Sequence, residues 1–366
     1  MLTLANRKVF NLILIFLFLA VGCEKATPTV VVTPENTQIS ETPTPAPSAW
    51  YAIYFIDPTG PVAEYYSGGP DEALAQAIDQ ARLSVDVAVY DLDLSSVSHA
   101  LINAHRRGVK VRVITESDNM DTVATKIPAL KEAGIPVIGD RREGLMHNKF
   151  TVIDHMEVWT GSMNYIANDA YRNDNNLIRI RSTKLAQDYT TEFNEMFEED
   201  LFGPDDRPAT PYPNVNVNGT EIEVYFSPDD GVAKHIVDLV NSAQESIYFL
   251  AYSFTSDQIS DAMLSRAQAG IALAGVFEKT QVAANKSSSE YDPLRLAGLD
   301  VWLDANPKNM HDKVILIDGK IVITGSYNFG AGAEKKNDEN ILVIHNVDIT
   351  ALYMQDFQRI YERARK

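Results

Sequence analysis

The chain is written twice over. His147–Asp154 reads HNKFTVID, and His311–Asp318, 164 residues further on, reads HDKVILID. Carried forward without a gap, this offset aligns Thr160-Gly161-Ser162-Met163-Asn164 with Thr324-Gly325-Ser326-Tyr327-Asn328. It also aligns Asn173-Asp174 with Asn337-Asp338, and Asn176 with Asn340. Upstream, Ser84–Tyr90 matches Ser246–Tyr252 at an offset of 162. A period this long means two copies of a whole domain, since solenoid repeats are far shorter. The length of 366 residues agrees with about two domains at roughly 150 residues each.

Each copy alternates helical and strand patterns. Asp71–Arg82 and Gly231–Ala243 have helical spacing and lead into β-branched or aromatic runs at Ser84–Tyr90 and Ser246–Tyr252. A second helix, at Ser95–Arg107 or Ser256–Ala269, ends near Gly108 or Gly270 and precedes a strand at Val109–Ile114 or Ile271–Phe277. The pattern predicts an α/β fold: two duplicated, layered α/β/α domains. Phe150–Ile153 and Val314–Ile317 are continuous apolar runs, as expected of strands in a sheet covered on both faces. His and Lys two apart at the start of such a strand project to the same side.

The remaining segments read as address and connectors. Arg7 and Lys8 precede an apolar stretch from Val9 to Gly22, interrupted by Asn11, so residues 1–22 have the pattern of a secretory signal. Fourteen residues fall short of the roughly 20 that span a bilayer. Small residues running into the lone Cys23 resemble a bacterial lipobox, which implies lipidation at Cys23; simple secretion is the alternative. Residues 23–50, rich in Pro and Thr, read as a tether. Residues 51–201 hold the first repeat and residues 221–366 the second. Between them, Pro204, Pro208, Pro211 and Pro213 mark 202–220 as a linker without regular structure.

Composition narrows the function. A single cysteine excludes an intrachain disulfide framework and a Cys-based zinc site. Lys+Arg 32 against Asp+Glu 50 leaves a net charge of −18. Removing residues 1–22, which hold two basic side chains and no acidic one, makes it −20. Such a surface repels polyphosphates and argues against an extended nucleic-acid track.

Two copies of His-x-Lys-x-x-x-x-Asp, each followed after six intervening residues by Gly-Ser-x-Asn, resemble the signature of the phospholipase D superfamily. The resemblance covers residues 60–366. It implies two α/β halves related by a pseudo-two-fold axis, with both motifs meeting in one cleft, and phosphodiester hydrolysis or transfer with no metal and no cofactor. The residue types suit that chemistry. A phosphodiester anion repels nucleophiles, so Lys149 and Lys313 would supply fixed positive charge, with Asn164, Asn328, Ser162 and Ser326 donating to the non-bridging oxygens. His147 and His311 would divide the work, one attacking phosphorus and the other protonating the leaving alcohol and then activating water or an acceptor alcohol.

The family also places an acidic residue twenty-eight positions after each motif histidine to hold the imidazole. By that rule Glu339 serves His311, whereas Asn175 stands in the place that serves His147, with Asp174 as a substitute carboxylate. A carboxylate favours the imidazolium, so this reading makes His311 the acid and His147 the neutral nucleophile. Asp154 and Asp318, at the far ends of their strands, read as structural anchors although they belong to the signature. Arg141, Arg142, Arg172, Lys308, Lys335 and Lys336 are candidates to enrich the positive field at the cleft. His105, His155, His235 and His345 have no partner in the other repeat and read as surface or packing residues.

These readings predict an exported phosphodiesterase, lipid-anchored to the envelope, acting on phospholipid headgroups at a membrane surface with no obligate protein partner. An exported endonuclease using the same motifs on DNA or RNA is the alternative. An inactive envelope binding module is a third reading, disfavoured because both histidines, both lysines and both asparagines are present.

Overall fold

A computed structural model describes residues 49–366. The signal at 1–22, Cys23 and nearly all of the tether at 23–50 lie outside the described residues. Among the described residues no helix is long and apolar enough to cross a membrane.

The first half is built on seven strands: β1 (Tyr51–Phe55), β2 (Ser84–Val89), β3 (Lys110–Thr115), β4 (Val137–Gly139), β5 (Lys149–Ile153), β6 (Glu157–Gly161) and β7 (Asn176–Arg181). The second has eight: β8 (Asn214–Val217), β9 (Thr220–Ser227), β10 (Ser246–Ala251), β11 (Ala272–Phe277), β12 (Asp300–Leu303), β13 (Lys313–Ile317), β14 (Ile321–Gly325) and β15 (Glu339–His345). Strand order is β1-β7-β6-β5-β2-β3-β4 in one sheet and β12-β11-β10-β13-β14-β15-β9-β8 in the other. The orders coincide once β8 is set aside, so the duplication predicted from the motifs extends to the topology. In each sheet three neighbouring strands run parallel, joined by helical crossovers, and the motif strand lies antiparallel beside them.

The motif strands β5 and β13 are buried at every position, which their uninterrupted apolar runs require. Their first residues pair with the last residues of β2 and β10: Lys149 lies opposite Val89, and Lys313 opposite Ala251. The motifs therefore open at the carboxyl ends of the parallel strands, where α/β sheets bind ligands.

Two long helices, Thr183–Glu199 and Val347–Ala364, follow the last strand of each repeat and were not legible from the repeat alignment. Ser182 and Asn346 cap them by accepting main-chain N–H groups. Their buried faces belong to one apolar core drawn from both halves, including Phe150, Tyr189, Phe193 and Phe226 together with Val314, Leu342, Tyr353 and Phe357. Two outer cores, around Leu74, Val87 and Leu101 and around Ile236, Phe249 and Met263, cover the opposite sheet faces. Because the central core is common property, neither half buries its own sheet alone.

The linker reading needs a correction. Residues 202–220 contain β8, which extends the second sheet beside β9. Pro213 lacks an N–H, but its carbonyl accepts from Val224 at 3.0 Å, and a proline at the start of an edge strand leaves the ladder intact.

Candidate active site

Each motif begins just before its strand and is held by the other half. The His147 N–H donates to the Asp338 carbonyl at 3.0 Å, and the His311 N–H donates to the Asp174 carbonyl at 2.8 Å. Met146 bridges to Asp338, and Met310 to Asp174, by the same pairing. The residue between His and Lys is clasped across the pseudo-two-fold as well. Asn340 Nδ2 donates to Asn148 Oδ1, and Asn176 Nδ2 donates to Asp312 Oδ1, each at 2.7 Å. Both asparagines are wholly buried, so these bonds join the halves away from water.

The crossing overturns the sequence assignment of the histidine partners. Glu339 bonds His147, not His311: Nδ1 to Oε2 is 2.7 Å. Asn175 Oδ1 lies 3.0 Å from Nδ1 of His311, not His147. The residue twenty-eight positions after each motif histidine does hold an imidazole, but that of the opposite repeat: Glu339 is 192 residues from His147, and Asn175 is 136 from His311. Asp174 is not the substitute carboxylate either; it faces Arg359 and Arg363.

A carboxylate nevertheless stands by His311, and the sequence reading missed it. Asp169 Oδ2 is 3.6 Å from His311 Nδ1, and it accepts the N–H and the Nδ2 of Asn164, each at 2.8 Å. Its other oxygen accepts Asn173 Nδ2 at 2.5 Å. The signal was present in the repeat. The second copy has Ala333 and Glu339 at the positions of Asp169 and Asn175, so the first copy has an acid gained and an acid lost within six residues.

Lys149 and Lys313 are buried, and each Nζ donates to the carbonyl of its own motif histidine, at 2.7 and 2.5 Å. Tyr90 and Tyr252, the residues after β2 and β10, present ring edges or faces to the histidines at 5.1 and 4.5 Å and lie beneath the lysine ammonium groups at 5.3 and 4.5 Å. These tyrosines align in the repeat but carried no motif to mark them.

Electrostatics follow from burial. Burial pushes the His147 imidazole down to about 4 despite the opposing pull of Glu339, and Lys149 adds to the depression. His311 falls well below its ordinary value, again through burial, then through Lys313, Lys149 and His147. Burial also lowers Lys149 to about 8, and Lys313, with Lys149 beside it, to about 7. The Asp169 carboxyl is raised by burial, against the bonds from Asn164 and Asn173. Burial thus works against the charged lysines, and an anion between the two would offset part of that cost.

Ser162 and Ser326 differ from their expected role as phosphate donors. Both are wholly buried: Ser162 Oγ donates to Asn175 Oδ1 at 2.8 Å, and Ser326 Oγ accepts the Asn340 N–H at 3.0 Å. They brace the crossing residues. The glycine before each has a backbone reason. Gly161 has φ +148°, and a Cβ there would stand 2.3 Å from the Asn176 carbonyl oxygen. Gly325 repeats this against Asn340. Asn328, the counterpart of Asn164 in the repeat, has its Oδ1 unpartnered. Asp154 and Asp318 lie at the far ends of β5 and β13, where Asp154 accepts the N–H groups of Arg82, Leu83 and Ser84, and Asp318 those of Gln244, Glu245 and Ser246. Arg141, Arg142 and Lys336 are engaged by Asp200, Asp205 and Glu143, and Arg172 donates to Tyr66. His345 bonds Glu223, and His235 stacks on Tyr225.

A family model described as cardiolipin synthase, PLD-like domain, matches the chain twice, over residues 74–197 and 236–361. The chain belongs to the phospholipase D superfamily. It is 31% identical over 171 residues to a phospholipase D of Rickettsia bellii, a match covering 46% of this chain and 83% of that one. It is 35% identical over 132 residues to the mitochondrial cardiolipin hydrolase of Xenopus laevis, covering 35% of this chain and 63% of that one. The crystal structure of phosphatidylserine synthase from Haemophilus influenzae superposes with a TM-score of 0.64 at 15% identity over 85% of this chain and 86% of that one, a likeness of fold. Two histidines and two lysines drawn from opposite halves of one duplicated fold make this a phospholipase-D-type phosphodiesterase.

Proposed function

We propose that the protein hydrolyses phospholipid headgroups at a membrane surface through a phosphohistidine formed on His147, with Cys23 as its lipid anchor. The observation that carries the mechanistic part is the 2.7 Å bond between His147 Nδ1 and Glu339 Oε2. With its proton on Nδ1, His147 presents the Nε2 lone pair, and the positive charge that the ring acquires on attack faces a buried carboxylate. His147 thus keeps the nucleophile's role, for the opposite reason to the one its sequence neighbours suggested.

In the first step the Nε2–P bond forms as the bond from phosphorus to the leaving oxygen breaks, and His311 gives that oxygen a proton. In the second, water yields a proton to His311 as its oxygen attacks phosphorus and the P–Nε2 bond breaks. An anionic diester beside Lys149 and Lys313 raises the affinity of His311 for its proton, so substrate arms the acid. The names of the two relatives support a phospholipid substrate, and the −18 net charge of the chain weighs against a nucleic-acid track. Water is the acceptor in this reading, and an alcohol would give headgroup exchange at the same step.

One side-by-side assay tests the substrate class. Headgroup release from phosphatidylethanolamine or cardiolipin vesicles is measured beside nicking of plasmid DNA, with His147→Ala as control. Headgroup release that disappears in the variant is expected. Plasmid nicking without headgroup release would sink the phospholipid reading and favour the endonuclease.

A further inference from the structure

Around the helix Thr183–Glu199 lies a group of carboxylates with no matching buried cation among the described residues. One oxygen from each of Glu192, Glu195 and Asp206 lies within 4.8 Å of the other two. Asp229 and Asp338 also bear on Glu192 electrostatically. Glu192 is only 3% exposed, and its Oε1, Asp206 Oδ2 and Asp229 Oδ1 are buried with no hydrogen-bond partner. Gathering buried carboxylate oxygens without donors is unfavourable unless protons or a cation join them.

The duplication supplies the comparison. At the same offset of 164 that aligns the motifs, Glu192, Glu195 and Glu199 of the helix Thr183–Glu199 correspond to Asp356, Arg359 and Arg363 of the helix Val347–Ala364. In the second copy Arg359 fills the space among carboxylates, bonding Asp356 at 2.6 Å, Asp174 at 3.0 Å and Asp57 at 3.5 Å, while Arg363 adds a bond to Asp174. The acids persist around the first copy's helix, with Asp338 equivalent to Asp174, and Asp229 just beyond β9 as Asp57 is just beyond β1. Where the guanidinium would be, it has Glu195. The basic group that bears on Glu195 and Asp206 is the exposed Arg207.

We propose that a hard divalent cation, calcium, binds among Glu192, Glu195, Asp206 and Asp229 and does for the first repeat what Arg359 does for the second. An all-oxygen, carboxylate-rich ligand set, Glu192, Glu195 and Asp206 with Asp229 beyond them, suits calcium better than softer metals or the strict octahedron of magnesium. The role is structural. The ion would tie the long helix to the segment after it and to the turn after β9, beside Asp338, whose carbonyl receives the His147 N–H. The reacting groups remain His147, His311 and their lysines. Protons are the competing occupants of the same oxygens.

The test is thermal unfolding of the purified chain in EDTA and across a calcium titration, with bound metal measured by equilibrium dialysis and elemental analysis. The expected result is one calcium per chain and a saturable rise in Tm on the order of 5 °C at a hundredfold excess over Kd. Magnesium should have a smaller effect. Glu195→Arg, which installs the second repeat's residue, should bind no calcium and hold its Tm in EDTA. Glu192→Gln should lose calcium as well. At 25 °C, turnover per folded molecule should survive EDTA, and its loss there would count against metal-free chemistry and not against this site. The proposal is overturned if wild type binds no calcium, if Glu195→Arg keeps the full calcium response, or if Tm in EDTA simply climbs as pH falls while calcium does nothing, which would show proton sharing instead.

Discussion

Replacing Asp169 by Ala removes the carboxylate beside the general acid, and the second repeat shows how to restore it. At 3.6 Å, with an effective dielectric of about 20, a full carboxylate attracts an imidazolium by on the order of 4–5 kcal/mol. Asp169 divides its charge among three N–H donors and the two lysines, so only part of that attraction reaches His311, and its loss should lower the imidazole's hold on its proton further. A positioned general acid contributes roughly 10²–10⁴-fold to the rate, and a His311 that holds its proton less well forfeits the lower end of that range. Headgroup release by Asp169→Ala should therefore fall about a hundredfold in kcat, with KM little changed and the alkaline limb of the rate profile displaced to lower pH. Adding Asn175→Glu, which reproduces the Ala333 and Glu339 pair of the other repeat, should return kcat to within about tenfold of wild type. The assay is steady-state kinetics from pH 5 to 9, with melting curves to show that each variant is folded. Wild-type kcat with an unmoved pH profile in folded Asp169→Ala would refute the reasoning. So would a folded double variant that stays as slow as the single one.

Sulfate, whose charge is constant over the range, should bind the free site and weaken as pH rises from 6 to 9. The sign follows from Lys313 and Lys149, depressed by burial to about 7 and about 8, which lose positive charge across that interval; a Kd that does not change with pH would contradict it. In the core, Arg112 grips Asp86 through Nε and a second nitrogen at 2.7 and 2.8 Å and lies over Phe193 at 4.7 Å. Arg112→Ala strands a carboxylate that is 1% exposed, so urea unfolding should show a loss of about 3–5 kcal/mol; a loss under 1 kcal/mol would argue against it. Gly161→Ala, whose Cβ would meet the Asn176 carbonyl oxygen at 2.3 Å, should lower Tm sharply, and a Tm unchanged within 2 °C would contradict the close approach.

Much of this architecture is legible in the amino-acid sequence. The motif offset announced two copies, and periodicity located the helices at Pro70–Gln80, Ser95–Arg106, Val232–Ser242 and Asp257–Gln268 within a residue or two of their ends. What failed to show was the pairing between copies. His147 lies twenty-eight residues before Asn175 and His311 the same distance before Glu339, so a distance along the chain pointed to partners within each repeat. The pairing depends instead on how the two sheets meet, through Asn176, Asn340 and the shared central core, and no local pattern encodes that. Asp169 was hidden because it is absent from the motif, and it emerges by asking where the two copies differ. The serines were misassigned because a hydroxyl beside a phosphate motif suggests a donor, while burial turns Ser162 and Ser326 into braces.

The central claim is a covalent intermediate on His147, and mass spectrometry on quenched single turnovers reaches it most directly. Excess enzyme is mixed with a phosphodiester bearing an activated leaving group, stopped in alkaline detergent to preserve phosphohistidine, and digested. The phosphoryl adduct should appear on the peptide containing His147 in wild type. It should persist longer in His311→Ala, which lacks the base for the second step, and vanish in His147→Ala. An adduct on the His311 peptide, or turnover by His147→Ala at the wild-type rate, would contradict the account.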